Sequence, residues 1–116
     1  MNGGEQEPRR PLDIQWSDRA KDDLAAIGDY IAADNPAAAM RWIKRFVADV
    51  ERAAEMSLAG RVVPEYAYRH DVREVFRRTY RIVYRVRANA IEVLTIFEGH
   101  RLFPEGVIPG ASDDEG

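Results

Sequence analysis

The sequence predicts an α+β domain of order β-α-α-β-β-β, in which an N-terminal helical hairpin packs on one face of a small, mainly antiparallel sheet. Apolar residues recur at helical spacing from residue 18 to about 58, and β-branched and aromatic runs replace that period from Arg61 onward. The chain's 116 residues, 46% of them apolar, leave room for one modest core and no second domain.

Met1 to about Pro11 is polar and Gly-bearing, which predicts a disordered arm over 1–11. Leu12-Asp13-Ile14-Gln15-Trp16 alternates apolar and polar residues, the period of a half-buried strand. Ser17 follows as an N-cap, Asp18 suits the first helical turn, and Ala20, Leu24, Ile27 and Ile31 share one face, giving a helix over about 18–33. Asn35-Pro36 stops that helix and starts the next, because Asn caps well and Pro tolerates the first helical position. Ala39, Ile43, Phe46, Val50 and Ala53 form the inner stripe of the second helix, widened by Trp42 and Val47 and expected to end near Leu58 before Gly60. So short a connection requires an antiparallel hairpin.

Strands are expected at 73–78, 80–87 and 91–97, the last two joined by a short hairpin connection, with the 12–16 strand at an edge of the same sheet. Along 80–87, Tyr80, Ile82, Tyr84 and Val86 point one way and Arg81, Val83, Arg85 and Arg87 the other. The first set is expected beneath the helices and the Arg-bearing set at solvent or a partner. Tyr80, Tyr84, Trp16 and Trp42 then serve as helix-sheet packing. This alternation disfavours a base-stacking platform, since the tyrosines cannot lie beside the arginines. The folded domain is expected over 12–104, followed by an acidic, flexible tail over 105–116.

The net charge of −3 is unevenly distributed. Residues 1–60 carry 8 Lys/Arg against 11 Asp/Glu, residues 61–101 carry 9 against 5, and residues 102–116 carry none against 4. A basic stretch of this kind suits an anionic partner. No apolar run approaches the roughly 18 residues a bilayer span needs, and the N-terminus carries no secretory signal, so the cytoplasm is the expected compartment. The chain has no cysteine and only His70 and His100, so no metal or other cofactor is expected.

The ordered segments "IQWSDRAKDDLAAIGDYI" (14–31), "NPAAAMRWIKRF" (35–46), "GRVVPEY" (60–66), "VREVFRRTYRIVYRV" (72–86) and "IEVLTIFEGHR" (91–101) resemble the RelE/ParE toxin superfamily of type II toxin-antitoxin systems. Asp23-Leu24, Ile27 and Tyr30-Ile31, followed by Asn35-Pro36, are nearer to the ParE branch. The resemblance implies an inhibitor of DNA gyrase, silenced by a ParD-like antitoxin that lays a helix or extended segment over the toxin. It also implies that operator DNA is bound through the antitoxin, with no membrane partner. The RelE branch instead cuts mRNA on the ribosome, and a shared fold does not separate the two.

Metal-free RNA cleavage needs a base for the 2′-hydroxyl, a cation for the phosphorane and an acid for the leaving oxygen. The candidates are Glu65 as base, Arg81 with Arg73 at the phosphate, and His100 or a tyrosine as acid, an arrangement similar to YoeB-like members of the RelE branch. Glu65 can instead pair with Arg61 or Arg73 and order its loop. Lysine is confined to Lys21 and Lys44, on the helices, which departs from the lysine-rich RelE-type nucleases. For a toxin that acts by binding, Arg61, Arg73, Arg81, Arg85 and Arg101 are the candidate contacts for target or antitoxin.

Overall fold

The computed structural model describes residues 10–111, so most of the expected N-terminal arm and the end of the acidic tail lie outside the described residues. The elements are β1 (Asp13–Trp16), α1 (Asp18–Ala32), α2 (Pro36–Glu55), β2 (Arg61–Val62), a single 3-10 turn (Pro64–Tyr66), β3 (Val72–Arg77), β4 (Tyr80–Val86) and β5 (Ala90–Glu98). The sheet order is β1-β5-β4-β3-β2. All neighbours pair antiparallel except β1, which runs parallel to β5 at the edge.

The helical hairpin forms where the punctuation places it. Ser17 Oγ accepts from Ala20 N at 3.0 Å and donates to Leu94 O at 3.1 Å, so one hydroxyl caps α1 and ties it to β5. Asn35 Oδ1 accepts from Ala38 N at 3.0 Å, and Pro36 occupies the first turn of α2. Gly28 permits a close crossing of the two helices, for a Cβ there would stand 2.9 Å from Ile43 Cδ1. α2 stops at Glu55 rather than near Leu58, because Met56 leaves helical geometry and Ala59 N closes a turn on Met56 O. Leu58 continues the apolar pattern without continuing the helix, and it is 65% exposed.

β5 contains an irregularity that alternation alone does not reveal. Val83 pairs with Thr95 but Tyr84 pairs with Val93, leaving Leu94 as the extra residue of a bulge. The phase resets there, so Val93 and Ile96 both face the helices while Leu94 and Phe97 face the other side. β1 stops pairing at Val93, and Asp23 of α1 serves the edge beyond it. Its carboxylate accepts from Ile96 N at 3.0 Å and from Thr95 Oγ1 at 2.5 Å.

The sheet carries a core on each face. Beneath the helices lie Phe46, Val50, Ile82, Tyr84, Ile91 and Ile96, with Trp16, Trp42 and Tyr80 packed at the margin as expected. Trp42, Phe46 and Tyr80 form a tilted and edge-on cluster with ring centroids 5.4–6.0 Å apart. The opposite face was expected to meet solvent or a partner, and it is covered instead. Val63, Val72, Val83, Leu94, Phe97 and Ile108 form a second buried cluster, with Tyr66, Phe103 and Val107 against it. Packing thus continues past residue 104, where the domain was expected to give way to tail, because the acidic and Gly-rich composition there also contains Val107-Ile108. Arg69 secures this cover by donating from Nη1 to Pro109 O at 2.7 Å.

Candidate functional site

The sheet face opposite the helices holds a chain of four charged side chains. Arg81 on β4 donates from Nε to Glu74 Oε1 at 2.7 Å, and from Nη1 and Nη2 to both oxygens of Glu65 at 2.9 and 2.7 Å. Arg61 on β2 donates from Nε to the second oxygen of Glu74 at 2.6 Å. Glu74 and Arg81 are diagonal neighbours across the β3–β4 ladder, where Phe76 pairs with Arg81 and Glu74 with Val83. Glu65 reaches the pair from the 3-10 turn that Pro64 opens.

Burial makes these pairs matter. The Glu74 side chain is fully buried and that of Arg81 is 7% exposed, whereas Glu65 is 41% exposed. The Arg81 guanidinium also lies 5.1 Å from the centroid of Phe97 and 5.4 Å from that of Phe103. The hydrogen bonds from Arg81 hold the Glu65 carboxyl below the usual carboxylate range, against the opposing push of burial. Those bonds to Glu65, and then to Glu74, raise the Arg81 guanidinium further above its already high range. Gly99 lets the chain pass close beside it, since a Cβ would sit 3.0 Å from Thr79 O and 3.4 Å from Arg81 Cγ.

The structure therefore joins Glu65, Arg81 and Arg61 through Glu74, and it separates them from Arg73. Glu65 pairs with Arg81 rather than with Arg61 or Arg73. Arg73 instead donates to the carbonyls of His70, Leu58 and Gly60, bracing the end of the α2–β2 connection. Arg85 is held 3.6 Å from Asp71, itself engaged mainly by Arg69. Arg101 lines a groove between α1 and the loop after β5, near Tyr80, and makes no ion pair among the described residues. His100 is 70% exposed, with Glu98 at 4.0 Å. Tyr80 and Tyr84 belong to the helix-side core, across the sheet from Glu65; Tyr84 donates to Ser57 O at 2.8 Å, and burial raises its phenol.

Glu74 is the functional residue that the sequence reading missed. The two-residue connection Arg78-Thr79 fixes the ladder register, and that register would have placed Glu74 diagonal to Arg81 on one face. Asp49 on α2 was missed as well; it is buried and accepts from Arg77 at 2.8 and 2.7 Å and from Arg52 at 2.7 Å. Among the described residues no group of three potential ligands converges to hold a metal ion.

The demands of nuclease chemistry can be set against this arrangement. A general base works best with a pKa near the working pH, whereas that of Glu65 is lowered, and a phosphate clamp needs charge not already balanced by carboxylates. Both Glu65 oxygens engage Arg81, and Arg81 spends three donors on carboxylates in a nearly closed setting. The four side chains sum to zero charge.

Comparison with known proteins places the chain in a family. The model of the family described as "ParE toxin of type II toxin-antitoxin system, parDE" matches residues 14–103. The chain belongs to the ParE toxin family. It is 34% identical over 92 residues to Y4kP of Sinorhizobium fredii, a protein named as a toxin, covering 79% of this chain and 93% of the relative. The fold is similar to that in the chromosomal ParDE system from P. aeruginosa, with TM-score 0.61 at 24% identity, covering 75% of this chain and 95% of that one. It is also similar to a chain of the RelBE2 toxin-antitoxin complex from Mycobacterium tuberculosis, with TM-score 0.52 at 16% identity, covering 77% and 99%. Sequence and fold together place this ParE-like chain in the RelE/ParE superfamily, as a toxin of a type II toxin-antitoxin system.

Proposed function

We propose that the chain acts in the cytoplasm by binding DNA gyrase rather than by cutting RNA, and that a ParD-like antitoxin neutralises it and carries it to operator DNA. Membership of the ParE family supports the choice of gyrase. The observation that carries the non-enzymatic reading is the commitment of Arg81 to Glu65 and Glu74, which neutralises the guanidinium and makes the Glu65 carboxylate a weaker base. Under this reading Arg81 is a positioning residue. It holds the Pro64–Tyr66 turn and, through Phe97 and Phe103, the C-terminal segment as one surface. Ribosome-dependent mRNA cleavage would instead draw on Glu65 as base, Arg81 at the phosphate and the exposed His100 as acid.

Pulse-labelling of DNA and protein synthesis within minutes of inducing the chain without its antitoxin tests the reading. Early failure of DNA synthesis with filamentation is expected. Early failure of protein synthesis with continued DNA synthesis would overturn it and return Glu65, Arg81 and His100 to catalytic roles.

A further inference from the structure

One corner of the molecule, where the margin of the Arg81 face meets the end of α2, combines exposed apolar side chains with excess positive charge. Met56, Leu58 and Phe76 are 64%, 65% and 48% exposed, where α2 ends beside the β2–β3 edge. Two adjoining depressions of about 250 and 380 Å³ share Met56 and Ala59, and Phe76 lines the first while Leu58 lines the second. Large apolar side chains gathered in this way mark a binding surface more often than isolated ones do.

Their charged neighbours are unevenly matched. Asp49 alone serves both Arg52 and Arg77, leaving that trio at +1. Arg73 is satisfied by carbonyl oxygens and keeps its full charge beneath Leu58 and Gly60. Arg61, 56% exposed, stands 5.0 Å over the Phe76 ring and shares its carboxylate, Glu74, with Arg81. Arg10 and Glu55, both lining the second depression, offset one another. A net positive corner on a chain of net charge −3 favours an acidic occupant.

We infer that the corner formed by Met56, Leu58 and Phe76, rimmed by Arg52 and Arg61, is the docking surface for an acidic segment of the cognate antitoxin bearing apolar side chains. The inference rests on the toxin reading above and adds the place of contact. A second copy of this chain fits poorly, because a two-fold contact would set like arginines against each other. Nucleic acid fits poorly too, since phosphates gain nothing from Met56 or Leu58. Because Glu74 is shared, a partner carboxylate that takes Arg61 bears directly on the ion pairs of Arg81.

The test uses the full chain copurified with its antitoxin, separated under denaturant, refolded, and titrated calorimetrically with that antitoxin. Leu58→Asp and Arg52→Glu alter exposed positions at the corner. Tyr30→Asp and Leu102→Asp, at positions 81% and 93% exposed, are controls on the groove across the molecule. Circular dichroism establishes that each variant is folded. The corner variants should bind the antitoxin roughly tenfold or more weakly, and should still arrest growth when expressed alone, while the controls bind as wild type does. Corner variants that bind as tightly as wild type would overturn the surface while leaving the toxin reading intact, as would loss confined to the controls. Binding of duplex DNA by the chain alone, sensitive to Arg52→Glu and indifferent to Leu58→Asp, would overturn it in favour of a phosphate surface. A wild-type chain that neither binds the antitoxin nor arrests growth would overturn both.

Discussion

The two faces of the sheet are closed by different means. The helix-side core is apolar and aromatic, so its stability follows from area removed from water and from close packing around Phe46, Tyr84 and Ile91. Among the described residues the opposite face is covered by a 3-10 turn and the segment from Phe103 to Ala111, and it buries Glu74 and Arg81 among apolar neighbours. A buried ion pair is a costly way to hold a fold, since the lost hydration offsets much of the attraction. The contrast teaches that the helix side is built for stability, whereas the charged side specifies one arrangement of a surface.

Single replacements on both faces should be severe for separate reasons, and these are the largest effects. Phe46→Ala opens a cavity under the helices and should cost about 3–5 kcal/mol in urea unfolding. Glu74→Gln removes the buried carboxylate that Arg81 and Arg61 share, leaving Glu65 as the carboxylate on Arg81, and should cost about 1.5–3 kcal/mol. The faces separate on repair. Glu74→Leu combined with Arg81→Met, which removes the buried pair together, should recover most of the stability lost in Glu74→Gln yet leave the chain unable to arrest growth on induction. A folded and stable Arg81 variant that retains full toxicity would collapse the distinction between the faces.

Acid should weaken the charged face first. The Glu65 carboxyl sits below its ordinary 4.5 in the fold, so its contribution is fully present above that value and is lost as pH falls through the lower folded value. Glu65→Gln should therefore lower Tm at neutral pH and flatten its decline below pH 4.5, a comparison that following Tm on acidification would check. An equal acid decline in both proteins would show that the Arg81–Glu65 bonds contribute little. The smallest effect is expected at His100, which is 70% exposed beyond the end of β5. His100→Ala should leave growth arrest within about twofold of wild type, and a loss of more than about tenfold would favour proton transfer by His100.

Much of the helix-side face was legible, because period and punctuation act locally. Ser17 and Asn35-Pro36 mark both helix starts, and the alternation of Tyr80, Ile82, Tyr84 and Val86 assigns their face. β2 was hidden because two residues show no alternation. The Leu94 bulge was hidden because β5 is buried on both sides and reads as a continuous apolar run. The second core was hidden behind composition, since Val107-Ile108 sits within an acidic, Gly-bearing stretch. Arg81 and Glu65 could be named from the sequence, but their direct pairing depends on where Pro64 turns the chain, and the link from Arg81 to Arg61 through Glu74 depends on strand register.

The proposed binding of gyrase without RNA cleavage can be tested directly. The direct measurement adds the purified chain to gyrase with relaxed plasmid and ATP, and in parallel to ribosomes translating a defined mRNA. The account predicts that supercoiling stops at chain concentrations comparable to gyrase while the mRNA stays whole. Cleaved mRNA with supercoiling undisturbed would contradict it.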